Sequence, residues 1–199
     1  EDVQRFLNLI VSGGPATQTR RFQRSDGRIF PVELRIGIIA MGRRRLMLGL
    51  ARDISARRAA EEKLSQMQAL LQAAIEQSPA GIIIADAPDA KIRLANSAAL
   101  GIRGTTTIPL TNIPVDRHPA NWQTYHPDGS PYAPEDLPLS QAVLFGKTTR
   151  NQDVIIRQPD GQERWVLGNA APVRDQEGKV VAGVVVFPDI TERKQVEQT

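Results

Sequence analysis

Apolar and polar residues alternate in two separate stretches of this chain, and the two stretches are copies of one another. Val32, Leu34, Ile36 and Ile38 mark one face of a strand after the turn Ser25-Asp26-Gly27, and Leu46, Leu48 and Leu50 mark the next strand. The same order returns at Pro159-Asp160-Gly161, followed by the runs 164–172 and 180–187. Arg52-Asp53-Ile54-Ser55 closes the first copy and Pro188-Asp189-Ile190-Thr191 the second. The offset is 134 residues from Asp26 to Asp160 and 136 from Asp53 to Asp189, so the copies differ by two residues, placed most simply in a hairpin turn. A period of this length denotes duplicated domains rather than a solenoid.

The remaining pattern predicts helices around these strands. Val3, Phe6, Leu7 and Ile10 have helical spacing, and Gly13-Gly14-Pro15 ends that element before a strand at 20–24. Between 55 and 77 there is no proline or glycine, and alanine, glutamate, glutamine and lysine favour one continuous helix. Ala60, Leu64, Met67, Leu71 and Ala74 fall at alternating steps of four and three, the seam of a left-handed coiled coil. Either this helix packs on its own domain or it is a parallel two-stranded connector between domains, and the seam favours the connector.

Ser78-Pro79 ends the helix, after which 81–85 and 91–95 read as a hairpin around Ala87-Pro88-Asp89, and Asn96 is placed to cap a short helix over 97–100. The segment 101–137 is irregular and carries six prolines. A helix starting at Pro138 then places Leu139, Val143 and Leu144 on one face, and strands at 151–157, 164–172 and 180–187 follow. Two strands, small helices, one longer helix and three strands describe an α+β domain with a five-stranded antiparallel sheet covered on one face by short helices. In the first copy only 52 residues precede Asp53, enough for a helix and a three-stranded meander but for no second whole domain.

Gln77-Ser78-Pro79-Ala80-Gly81-Ile82 at the first strand, Arg93-Leu94-Ala95-Asn96 at the strand-to-helix step, and Asp128-Gly129-Ser130-Pro131 before Glu135-Asp136-Leu137-Pro138-Leu139 follow in a specific order. With the closing segment from Asp160-Gly161 to Asp189-Ile190-Thr191-Glu192-Arg193-Lys194, they make the second domain resemble a PAS domain. The chain as a whole looks like a tandem-PAS segment of a bacterial sensory protein, such as a sensor histidine kinase or diguanylate cyclase. The resemblance implies the C-terminal half of a first PAS domain at 1–54, a connecting helix at 55–77, a complete second domain at 78–190 and the start of an outgoing helix at 191–199. It also implies a non-catalytic, cytoplasmic module that relays a signal to an output domain outside this chain, or a purely structural dimerisation module. The family's Asp-Ile-Thr element couples the last strand to the outgoing helix, a role that falls here to Asp53 and Arg57, and to Asp189, Thr191 and Arg193. An Asp there can cap the helix, meet its positive end and pair with a nearby base, Arg57 or Arg58 for Asp53 and Arg193 or Lys194 for Asp189.

Composition narrows the chemistry. Apolar residues make up 41% and charged residues 24%, an ordinary folded balance. The chain has no cysteine, which excludes disulfides, thiolate metal sites and cysteinyl adducts. Flavin photoreceptors of the family use such an adduct, and its haem-binding members commonly present a histidine from the helix before the meander, where neither 2–10 nor 140–145 has one. Cysteinyl flavin and haem are therefore disfavoured, and the cofactor, if any, stays open. No run approaches the roughly 18 apolar residues of a membrane span. The net charge of +3 is densest at Arg43-Arg44-Arg45, between two alternating runs, which predicts a solvated hairpin turn rather than a nucleic-acid surface.

His118 and His126 both precede proline in the irregular segment and read as surface-loop residues without partners at metal spacing. Asp86, Asp89, Asp128, Glu135 and Asp136 mostly sit beside proline or glycine in expected turns, where backbone hydrogen bonds account for them. No nucleophile, base and orienter set is visible. The candidate ligand-binding residues, between sheet and helices, are Ile84, Leu94, Trp122, Tyr125, Leu139, Val143, Ile156, Trp165 and Val185, with Ile82 and Leu100 beside them. Expected partners are a second copy of the chain, through the connecting helix, and a small molecule.

Overall fold

A computed structural model describes residues 16–105 and 110–197. The helix expected at 2–10, with the Gly13-Gly14-Pro15 that ends it, lies outside the described residues. The chain divides into two compact units at Leu70 and Leu71.

In the first unit, β1 (Ala16–Gln23), β2 (Ile29–Met41) and β3 (Arg44–Asp53) form an antiparallel meander in that order. The β1–β2 turn needs a left-handed residue, supplied by Gly27 at φ +88, and the Asp26 carboxylate accepts the Arg28 N–H at 2.9 Å. Gly42 and Arg43 form the next turn, so the basic cluster caps a hairpin. Helix α1 (Ser55–Glu76) follows, and none of its 22 residues is buried.

In the second unit, six antiparallel strands lie in the order β5-β4-β9-β8-β7-β6. They are β4 (Gly81–Asp86), β5 (Lys91–Ala95), β6 (Thr124–Tyr125), β7 (Thr149–Arg157), β8 (Glu163–Arg174) and β9 (Val180–Phe187). Five strands were expected. The sixth, β6, is a two-residue strand inside the irregular segment that pairs Thr124 with Ile156, too short to leave a periodic signal.

One face of this sheet is covered by α2 (Ser97–Arg103), α3 (His118–Trp122) and α4 (Pro138–Phe145), while α5 (Thr191–Glu197) leaves from the end of β9. Ile83, Ile92, Val154, Val166 and Val185 from the strands meet Ile102, Trp122, Leu139 and Val143 from the helices in one buried cluster. The approach of α4 to β9 is close at Gly183, where a Cβ would come within 2.5 Å of Val143 Cγ2.

Candidate functional site

A cavity of about 60 Å³ lies between the sheet and its covering helices. The strands contribute Ile83, Ile92, Val154, Ile156, Val166, Val185 and Phe187, and the helical side contributes His118, Trp122 and Leu139. Thr124 of β6, Leu137, Pro138 and Gly168 complete a lining that is apolar. Trp122 packs edge-on against Phe187, with ring centroids 6.3 Å apart. The Trp122 indole N–H and the Thr124 hydroxyl are buried and have no hydrogen-bond partner in the protein. A cavity that accepts benzene is about 150 Å³, so the residues present do not fit an isoalloxazine or a porphyrin.

Of the expected pocket residues, Trp122, Leu139, Ile156 and Val185 lie in this wall. Val143 is buried but sits behind it, against Gly183. Ile84 and Leu94 do not line the cavity. In β4 residues 81, 83 and 85 are buried and Ile82 and Ile84 only half so, and a bulge pairs Ile84 with Leu94 but Ala85 with Ile92. Ile83 and Ile92 therefore take the places expected for Ile84 and Leu94. Leu100 packs half-buried at the edge of the core.

Tyr125 follows the inward Thr124 and lies half-buried with the Arg157 guanidinium 4.2 Å from its ring centroid. Trp165 alternates with the inward Val166 and is likewise outside the cavity wall. His118, expected on the surface, is 2% exposed and in the wall. It begins a short helix inside the proline-rich segment, and no periodicity announced that. Its Nε2 donates to the Ile113 carbonyl at 3.2 Å. Burial pushes this imidazole below its ordinary range, against the opposing pull of that carbonyl and of Asp116. His126 stacks on Tyr132 at 3.6 Å. Among the described residues no cluster of donors could hold a metal ion.

Trp165 instead carries the outgoing segment. Its backbone N–H donates to Thr191 Oγ1 at 2.9 Å, and its carbonyl accepts the Ile190 N–H at 2.8 Å. The Thr191 N–H and hydroxyl both donate to Asp189 Oδ1, at 2.9 and 2.5 Å. One turn on, Lys194 Nζ lies 2.7 Å from Asp153 Oδ2 of β7 and over the Trp165 ring.

The first unit repeats this junction. The Ser55 N–H and hydroxyl donate to Asp53 Oδ1 at 2.9 and 2.6 Å, and those bonds hold the Asp53 carboxyl below the usual carboxylate range. The basic partners differ from expectation: Arg57 pairs with Glu61 and Arg193 with Glu197, each four residues along its own helix, while Asp53 pairs with Arg24 and Asp189 with Arg164. A side chain one turn into a helix lies beside the next turn, which places a glutamate within reach of each arginine.

At the other end of the second unit, Asn96 is fully buried and fastens three elements. Its Oδ1 accepts the Ala99 N–H of α2 and the Ile82 N–H of β4, at 3.0 and 2.8 Å, and its amide donates to the carbonyls of Ile75 in α1 and Ala80, at 2.8 and 3.0 Å. Glu76 adds a carboxylate that accepts the Ser97 N–H and hydroxyl. The last turn of the incoming helix is thereby tied to the sheet.

The family model described as PAS fold matches residues 75–195, and the one described as PAS domain matches 1–56. The chain belongs to the PAS family, whose domains serve as sensory modules in signalling proteins. No curated protein matches it.

Several solved structures are similar. A PAS domain of an HTR-like protein from Haloarcula marismortui shares 18% identity at a TM-score of 0.48, over 67% of this chain and 99% of that one. The PAS domain of BvgS from Bordetella pertussis shares 20% at 0.43, over 69% and 96%. An RNA-binding light-oxygen-voltage receptor shares 14% at 0.47, over 99% and 85%. Among the described residues no helix is long and apolar enough to cross a membrane.

Proposed function

We propose that this chain is a non-catalytic regulatory segment that dimerises through α1 and passes a change in the cavity of its second domain to the outgoing helix, toward an output domain outside this sequence. The observation that carries the reading is the junction at Trp165. Thr191 and Lys194 bind α5 to β8 and β7, and those two strands supply Val154, Ile156 and Val166 to the cavity wall. A displacement of either strand therefore shifts the contacts of α5, which is the differential interaction any relay requires. In this reading Asp53, Asp189 and Thr191 are the hinges, Arg57 and Arg193 stiffen the helices that leave them, and the operating segments are 1–54, 55–77, 78–190 and 191–199, in the cytoplasm.

Dimerisation is supported by α1 itself. Leu64, Met67 and Leu71 of the seam are all exposed. A helix that buries none of its own apolar residues draws its stabilisation from a partner's stripe. The absence of native cysteine provides the test: single cysteines replace seam and outer positions in the full chain, followed by mild oxidation. Leu64→Cys and Leu71→Cys should link two copies, and Ala69→Cys, on the far side of the helix, should not. Equal linking at all three positions, or a monomer in light scattering, would refute the parallel dimer.

A further inference from the structure

We infer that the β2–β3 hairpin of the first unit docks on an anionic lipid surface, its apolar end entering the upper edge of the acyl chains while the arginines around it meet lipid phosphates. This surface shares no residue with the cavity of the second domain or with the α1 seam.

Among the described residues β1 pairs with β2 only as far as Ile36, and beyond it β2 and β3 run on together to Met41 and Arg44. The hairpin thus ends as a two-stranded ribbon. Ile39, Met41, Leu46 and Leu48 project from one side of it and Ile38 and Met47 from the other, by the alternation of paired strands. Five of these six are between 45% and 67% exposed, and Ile38 is 37% exposed. The second domain shows that the fold does not demand this. At the offsets of 134 and 136, Val173, Asp175, Ala182 and Gly183 stand where the first copy has Ile39, Met41, Leu46 and Met47, and the turn there reads Asp175-Gln176-Glu177-Gly178-Lys179.

Charge selects the partner. Residues 16–54 carry nine arginines and no lysine against three acids, Asp26, Glu33 and Asp53, a net charge of +6 in a chain that totals +3. Arg43, Arg44 and Arg45 stand at the tip itself. A second copy seated on this face would bring like charges together. A rigid protein surface would cover one side of the ribbon and leave the other in water, whereas lipid headgroups surround a projecting ribbon on both. Guanidinium groups pair bidentately with phosphate oxygens, and exposed apolar side chains leave water at the acyl boundary. An anionic leaflet supplies both partners at once.

The experiment is co-sedimentation of the full chain with vesicles of phosphatidylcholine alone and of phosphatidylcholine with about one-third phosphatidylglycerol. Binding to the anionic vesicles should be at least about tenfold tighter than to the neutral ones and should weaken with salt. Arg43→Gln, Arg44→Gln and Arg45→Gln together should weaken it about a hundredfold, roughly fivefold per charge. Met41→Ser with Leu46→Ser should weaken it at least about tenfold. All five side chains are exposed, so circular dichroism should show the fold unchanged. Val173→Ser with Val181→Ser, in the hairpin of the second domain, should leave binding intact. An environment-sensitive dye on Met41→Cys should shift to the blue on the anionic vesicles, and one on Gln176→Cys should not. Binding to neither vesicle, or binding indifferent to Met41→Ser with Leu46→Ser, overturns the inference, and self-association lost in that variant would then assign the face to a second copy.

Discussion

Lys194 Nζ and Asp153 Oδ2 stand 2.7 Å apart, joining the outgoing helix to a strand 41 residues earlier in the chain. The two side chains are 23% and 30% exposed, so the pair is only partly screened by solvent. It also holds the ammonium over the Trp165 ring, 5.3 Å from the centroid. Lys194→Ala should therefore raise amide exchange in α5 without unfolding the domain. A double-mutant cycle with Asp153→Asn should return a coupling of about 0.5–1 kcal/mol that shrinks with salt. Unchanged exchange in α5 would show that Thr191 alone fastens the helix.

Asn96 should be the costliest single substitution at the incoming end. Asn96→Ala removes four hydrogen bonds and leaves the N–H groups of Ile82 and Ala99 without their acceptor. Losing buried partners at about 1–3 kcal/mol predicts a destabilisation of about 2–4 kcal/mol, read by urea denaturation of the second domain. Asn96→Asp retains the acceptor but not the donors to Ile75 and Ala80, and should fall between wild type and alanine.

Gly183 tests the packing of α4 on β9. An added Cβ would meet Val143 Cγ2 at 2.5 Å, and Val143 is itself buried. Gly183→Ala should cost about 1–3 kcal/mol by overpacking, and Val143→Ala in the same chain should recover part of it. A lack of recovery in the thermal midpoint would place the strain elsewhere.

His118 ties stability to pH. Its folded pKa is depressed below the ordinary value of 6.5, chiefly by burial. Above about 6.5 both folded and unfolded states hold it neutral and its contribution is complete. As pH falls from there toward the lower folded value, the unfolded state takes up a proton first and stability declines, by at most about 1.4 kcal/mol per pH unit from this group. Denaturation midpoints between about pH 7 and 5 should show that slope in the wild type, and His118→Gln should flatten it.

The legible parts of this protein are those whose causes are local in sequence. Asp26 and Asp160 each accept an N–H two residues on, and Asp53 and Asp189 each accept both the N–H and the hydroxyl of the residue two places on, because each motif closes within a few residues. The same locality exposed Asn96 as a cap. Alternation likewise revealed the meanders, since a sheet face that meets solvent must alternate.

The face of β4 was not legible, because Gly-Ile-Ile-Ile-Ala is apolar at every position and has no parity to read. Packing against the helices and a bulge beside Ala85 chose Ile83 over Ile84. Trp165 looked like a pocket residue because it is large and apolar, yet one step along β8 put Val166 inward and left the indole beneath Lys194. His118 and Thr124 entered the cavity wall through a short helix and a two-residue strand that carry no periodic signal. The sequence by itself determined the repeat, the junction motifs and the class of fold, since those rest on contacts between near neighbours. Only the tertiary structure decided the cavity's lining and the partner of Lys194, because both depend on which distant surfaces the strands bring together.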